Sequence, residues 1–369
     1  MKICMESDKQ SCTTAQSENK RIVYIELLRV MATIAVIAIH VAAQNFYSVE
    51  INSLEWKVFN ITDSAVRWAV PVFVMISGAL FLNHRKNITI KSIYTKNIRK
   101  IVIVFVFWSA FYALNRLICG EGLKKAVASF IEGNYHLWFL FMICGLYIVV
   151  PILRKITVTK EMTEYFLVVG LVFTFIIPRT LHLLKCVELP YTKTVTDSLE
   201  AAVSSMKFHL TLGYVVYFVL GYYLSEYEIS KKIQRSLYVL GIAGFVSIAV
   251  LTMWYSQKQM KAYTAFYDNL SVGVLFMSVA VFVFAKYRLD QIKWNDKILS
   301  AVQKISNHSL GIYLVHVFVI DKLNKLAAFH TLTFHPIVSV IAMIVCVFAV
   351  SYMISGALHR IPVLSKYIV

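Results

Sequence analysis

Long apolar runs alternate with short polar clusters from one end of the chain to the other. Ten runs approach the ~20 residues that an α-helix needs to cross a bilayer. They cover roughly 23–43, 64–83, 98–118, 137–154, 164–181, 209–225, 236–255, 269–286, 308–327 and 335–357. None shows the period-two alternation of a membrane β-strand. The pattern predicts an all-α integral membrane protein with about ten transmembrane helices. It also predicts a disordered cytoplasmic tail over residues 1–20, one membrane domain over 21–358 and a short cytoplasmic tail over 359–369.

The first run departs from a plain span. "YIELLRVMATIAVIAIH" (24–40) holds Glu26, Arg29 and His40 among Leu, Ile, Val, Ala and Met. Ionisable groups inside a span are costly and mark function by default. Arg29 and His40 are separated by about three helical turns plus 20°, so they share a face, ~16 Å apart along the axis. Glu26 precedes Arg29 by one turn and can pair with it. A cation and an imidazole so spaced suit a long, thin substrate with phosphate at one end and a reactive group at the other. Coenzyme A has that shape. Arginine recognises phosphate through a planar fork of donors, and neutral histidine can act as a general base toward an alcohol. The plainer alternative is a Glu26–Arg29 pair that locks helices, with His40 at the headgroup boundary.

Other polar residues can converge on this face. In "SAVRWAVPVFVMISGALFL" (64–82), Pro71 predicts a kink, Ser77 and Gly78 permit close approach, and Arg67 falls at the outer end, on the same side of the membrane as His40. Lys96, Arg99 and Lys100 precede the third span, where they either neutralise donor phosphates or serve as flanking charge. "YHLWFL" (135–140) opens the fourth span with His136 at the depth of His40. Its Trp138 suits an interfacial belt or a sugar ring. "NHSLGIYLVH" (307–316) brings Tyr313 and His316 toward mid-membrane. A backbone N–H near Ser77 and Gly78, Arg67 or His136 is a candidate donor to a reacting oxyanion.

Composition agrees with a membrane protein. Hydrophobic residues make up 59% of 369, charged residues only 15%, and mean hydropathy is +0.67. Net charge is +17. With the N-terminus inside, 23 of 37 Lys and Arg fall on the inner side and 13 on the outer, with Arg29 within the first span. That bias predicts both termini in the cytoplasm and contact with anionic headgroups. No basic soluble domain supports nucleic-acid binding. Six cysteines show no metal-ligand spacing, and no metal is expected. Cys119 and Cys186 share the predicted outer side, which allows a disulfide. No hydrolase, metalloprotease, Walker or dinucleotide fingerprint is present.

The ordered set "YIELLRVMATIAVIAIH", "VPVFVMISGALFL", "YHLWFL" and "HSLGIYLVH" resembles the membrane acyltransferase-3 family over about residues 21–355. It is most similar to members related to enterobacterial common antigen O-acetyltransferases. The resemblance implies transfer of an acyl group, usually acetyl, from cytoplasmic acetyl-CoA to a hydroxyl of a glycan or lipid-linked sugar, in a bacterial cytoplasmic membrane. Arg29 and His40 match the family's Arg-x10-His element, and Arg99 matches its basic position before the third span. Glu26 stands where relatives often have Asp. The expected catalytic set is Glu26, Arg29, His40 and His136. Donor contacts are expected from Arg29, Ser77, Gly78, Arg99, Lys100 and His316, and acceptor contacts from Arg67, Trp138 and Tyr313. The alternative is a transporter or flippase for a small polar or lipid-linked sugar, since charged residues in spans also line translocation paths. A third reading, a non-catalytic sensor, predicts that His40 tolerates substitution.

Overall fold

The computed structural model describes residues 22–187, 192–205, 213–325 and 329–368. The tail expected over 1–20 lies outside them. In chain order the helices are α1 (Val23–Ala43), α2 (Leu54–Val66), α3 (Ala69–Phe81), α4 (Ile90–Ile118) and α5 (Leu123–Glu132). Then follow α6 (Trp138–Ile156), α7 (Lys160–Cys186), α8 (Thr192–Ser205), α9 (Tyr214–Glu226) and α10 (Lys231–Gln259). The last are α11 (Val272–Phe284), α12 (Asp296–Lys325), α13 (Pro336–His359) and α14 (Pro362–Tyr367).

There is no strand among the described residues. Among the described residues, eight helical stretches are long and apolar enough to cross a membrane, so the protein is an all-α, multi-pass membrane protein. They coincide with eight of the ten predicted spans. The other two, 209–225 and 308–327, also carry helices: α9 is described over 13 residues of the first, and α12 has 30 residues with charged residues toward both ends.

The second span begins earlier than predicted and is broken. α2 starts at Leu54, where the Ser53 side chain accepts from the Trp56 N–H, and ends at Val66. Pro71 lies in the first turn of α3. It has no N–H for the Arg67 carbonyl four residues back, so the break falls ahead of the proline. π-turns at Ile93–Ile98, Leu171–Ile176 and Ala285–Leu289 rotate the residues that follow them.

α9 lies in the core, with Val216, Tyr217, Phe218 and Val219 fully buried. It touches α3 backbone to backbone. A Cβ at Gly78 would stand 1.7 Å from the Phe218 carbonyl oxygen, and one at Gly221 would stand 2.1 Å from that of Met75. Paired small residues allow this approach in membrane bundles.

At the end of α9, the Lys286 ammonium donates to the carbonyls of Leu224, Ser225 and Tyr227 at 3.0–3.2 Å. A cation there satisfies orphan carbonyls and opposes the helix dipole. Lys286 also pairs with Glu228 at 3.2 Å. Hydrogen bonds from Tyr287 and Lys286 hold the Glu228 carboxyl below the usual carboxylate range.

The segment expected as a C-terminal tail contains α14, and the Trp108 indole N–H of α4 donates to the Ile368 carbonyl at 3.2 Å. The disulfide that the predicted common side of Cys119 and Cys186 allowed is not formed.

Candidate active site

Two parallel helices build the site. Arg29 Nη1 of α1 donates to the Ser306 hydroxyl of α12 at 3.1 Å, and the rings of His40 and His316 stand 5.0 Å apart. Both pairs of positions advance in the same chain direction by nearly equal steps. α1 and α12 therefore lie side by side in register for ~15 Å. On α12, Ser306, Ser309, Tyr313 and His316 recur at three- or four-residue steps and form one face.

A cavity of about 340 Å³ runs along α1 with Arg29, Val36 and His40 on its wall. Phe73, Ile76, Ser77, Leu80 and Phe81 of α3 face it, as do Asn97 of α4, Phe139 and Tyr147 of α6, and Ser309 and Tyr313 of α12. The walls between the two polar ends are mostly apolar. A ligand with a charged head and a slender, uncharged arm fits that distribution.

At the arginine end, Glu26 Oε2 lies 3.7 Å from Arg29 Nη1. Both arginine contacts use Nη1. Its other donors have no partner among the described residues.

At the histidine end, three imidazoles cluster. His136 lies 5.4 Å from His316, ring to ring, and Tyr135 lies 5.4 Å from His40. The Tyr313 hydroxyl donates to the His136 carbonyl and fixes the turn before α6. His316 Nδ1 meets the Tyr313 carbonyl at 2.5 Å. A carbonyl only accepts, so Nδ1 carries the proton and Nε2 of the neutral ring presents a lone pair. That Nε2 and both ring nitrogens of His136 are buried without a hydrogen-bond partner among the described residues. Such groups are costly in a fold and concentrate at working sites. No group of His, Cys, Asp or Glu among the described residues is arranged to hold a metal ion.

Arg29, His40, Ser77, His136, Trp138 and Tyr313 all line the cavity. Glu26 stands behind Arg29, and fully buried His316 stands beside His40 rather than on the wall. Gly78 turns away, toward α9. Arg99 and Lys100 are exposed and off the wall, where Asn97 takes their place. Arg67 pairs with Asp63, lies 4.4 Å over the Tyr267 ring and lines a second cavity. Sequence reasoning passed over Ser306, Ser309, Asn97 and Tyr147. The stepwise recurrence of Ser306 and Ser309 with Tyr313 and His316 was the signal for the two serines.

A profile of the family described as an acyltransferase domain matches residues 22–356. No significant match was found among curated proteins or among solved structures. Because the profile takes in every helix that walls the cavity, the chain belongs to the acyltransferase-3 family of membrane acyltransferases.

Proposed function

We propose that the protein is an O-acyltransferase that moves an acetyl group from cytoplasmic acetyl-CoA to a hydroxyl of a surface glycan or lipid-linked sugar. The observation that carries this reading is the single cavity joining Arg29 to His40. Arg29 takes donor phosphate with the guanidinium donors that neither Glu26 nor Ser306 uses, and Glu26 steadies it. The uncharged arm lies along Phe73, Ile76 and Phe139, and the thioester reaches His40. His40 takes the proton of the acceptor hydroxyl. The oxygen attacks the thioester carbonyl, the carbon–sulfur bond breaks, and the leaving thiolate takes the proton back from the imidazolium. The ester and free coenzyme A are the products. His316 packs its ring against His40, and His136 faces the reacting carbonyl as a candidate donor. Both termini lie in the cytoplasm of a bacterial cell in this arrangement, which puts His40 toward the outer face.

Substituting His40→Ala tests the reading. Acetyl transfer should fall by about 10²–10⁴-fold, the worth of a general base. Membrane insertion and acetyl-CoA affinity should hold. Transfer at the wild-type rate by this variant would refute it, and transport of a sugar without acetyl-CoA turnover would favour a transporter.

A further inference from the structure

The second cavity, about 370 Å³, lies on the opposite side of His40 from Arg29. Along α1 the order is Arg29, His40, then Ala43, which lines this cavity one turn beyond the imidazole. Across the α2–α3 break, Arg67 lines it while Val70, one turn on, lines the first cavity. The two spaces thus flank the same turn of α1 and the same break. His40 lines the first space, and Ala43, one turn on, lines the second.

The fixed charges around the second cavity cancel in pairs. Asp63 is matched by Arg67, and Asp268 by Arg179 at 2.5 Å. Neither an anion nor a cation is drawn in by net charge. Hydrogen-bonding capacity is left over, however. Asp63 is 3% exposed, and its Oδ1 has no partner; Arg67 Nε is likewise buried and unmatched. An acceptor beside a donor is what a hydroxyl, which does both, can satisfy. Burying these groups unmatched costs free energy, which a small turn of either side chain toward a ligand hydroxyl recovers. Asn269, whose amide donates to the Tyr214 hydroxyl at 2.9 Å, and Thr264 add polar lining to this cavity. Tyr47 offers an exposed ring at the edge for the apolar side of a sugar.

We infer that this second cavity is the acceptor site and that it takes a neutral, hydroxyl-rich sugar ring rather than an acid or an amine. The inference rests on the acetyltransferase reading and adds where the acceptor binds and what class it belongs to. His40 then stands between two separately entered ligands.

The test uses the full-length protein in membranes of its own host, with labelled acetyl-CoA and acetate incorporation into membrane glycan as the readout. Ala43→Leu fills the cavity, and Asn269→Ala removes a polar contact without adding bulk. Each should lower incorporation by about tenfold or more, the equivalent of one buried hydrogen bond. Acetyl-CoA affinity of the purified variants should stay within about twofold of wild type. Methyl glucoside should compete with incorporation, whereas methyl glucuronide and glucosamine should not. Wild-type incorporation in both variants, or a parallel loss of acetyl-CoA affinity in both, would overturn the site. Competition by the charged sugars as strong as by methyl glucoside, or none by methyl glucoside, would overturn the neutral class. Failure of His40→Ala to lose transfer would instead defeat the underlying function, so the two failures are distinguishable.

Discussion

Replacing Arg29 by Met separates its structural role from its binding role. Its Nη1 contacts Ser306 at 3.1 Å and Glu26 Oε2 at 3.7 Å, and that carboxylate oxygen accepts no hydrogen bond. At this distance and an effective dielectric near 20, the attraction is about 4 kcal/mol. Desolvation of both groups offsets much of it. The side chains are 26% and 14% exposed, between the surface and the buried cases. Stranding Glu26 should therefore cost about 1–3 kcal/mol of stability. A charge-assisted contact to donor phosphate contributes a further ~1.5–3 kcal/mol to binding, or about 10–150-fold in Kd. The double variant Glu26→Gln/Arg29→Met removes the stranded charge. It should recover most of the lost stability and none of the lost affinity. Thermal unfolding in detergent and calorimetric titration with acetyl-CoA read the two quantities in the same samples. If the double variant binds acetyl-CoA as tightly as wild type, Arg29 is not a phosphate ligand. If Arg29→Met unfolds at the wild-type temperature, the Glu26 pair contributes nothing to the fold.

Two further outcomes follow from the packing and the ion pairs. Gly78→Ala should drive α3 from α9 by more than about 1 Å, because the neighbour is a carbonyl rather than a flexible side chain. A stability loss of about 3 kcal/mol or more is expected, with weaker acetyl-CoA binding because α3 carries Phe73 and Ser77; an unchanged melting temperature would contradict the backbone contact. Glu228 has a folded-state pKa below its unfolded value, so its contribution is present above the unfolded pKa and is lost as pH falls through the folded one. Wild type and Glu228→Gln should differ in melting temperature near neutral pH and converge as pH falls through the folded-state pKa; a difference that stays constant from neutral into the acid range would rule out the linkage.

The element content was legible because burial in a bilayer demands long apolar helices with their backbone groups satisfied internally. The Arg29–His40 face was legible for a related reason: both residues lie on one rigid helix, whose period alone sets their relation. The position of Arg99 was not. The π-turn at Ile93–Ile98 changes the register just ahead of it, and Asn97 reaches the cavity instead. The small size of Gly78 suits a ligand approach as well as a packing contact, and only the position of α9 against it decides for packing.

By itself, then, the sequence determined a helical membrane protein and one helix face carrying a cation and an imidazole three turns apart. Only the tertiary structure decided what stands opposite that face. Ser306 meets Arg29, His316 meets His40, and the space between α1, α3, α6 and α12 becomes a cavity. It also decided that Arg67 turns to Asp63 and a separate cavity. Helical period fixes the geometry within one element, whereas contacts between residues 277 positions apart, such as Arg29 and Ser306, depend on how the helices pack.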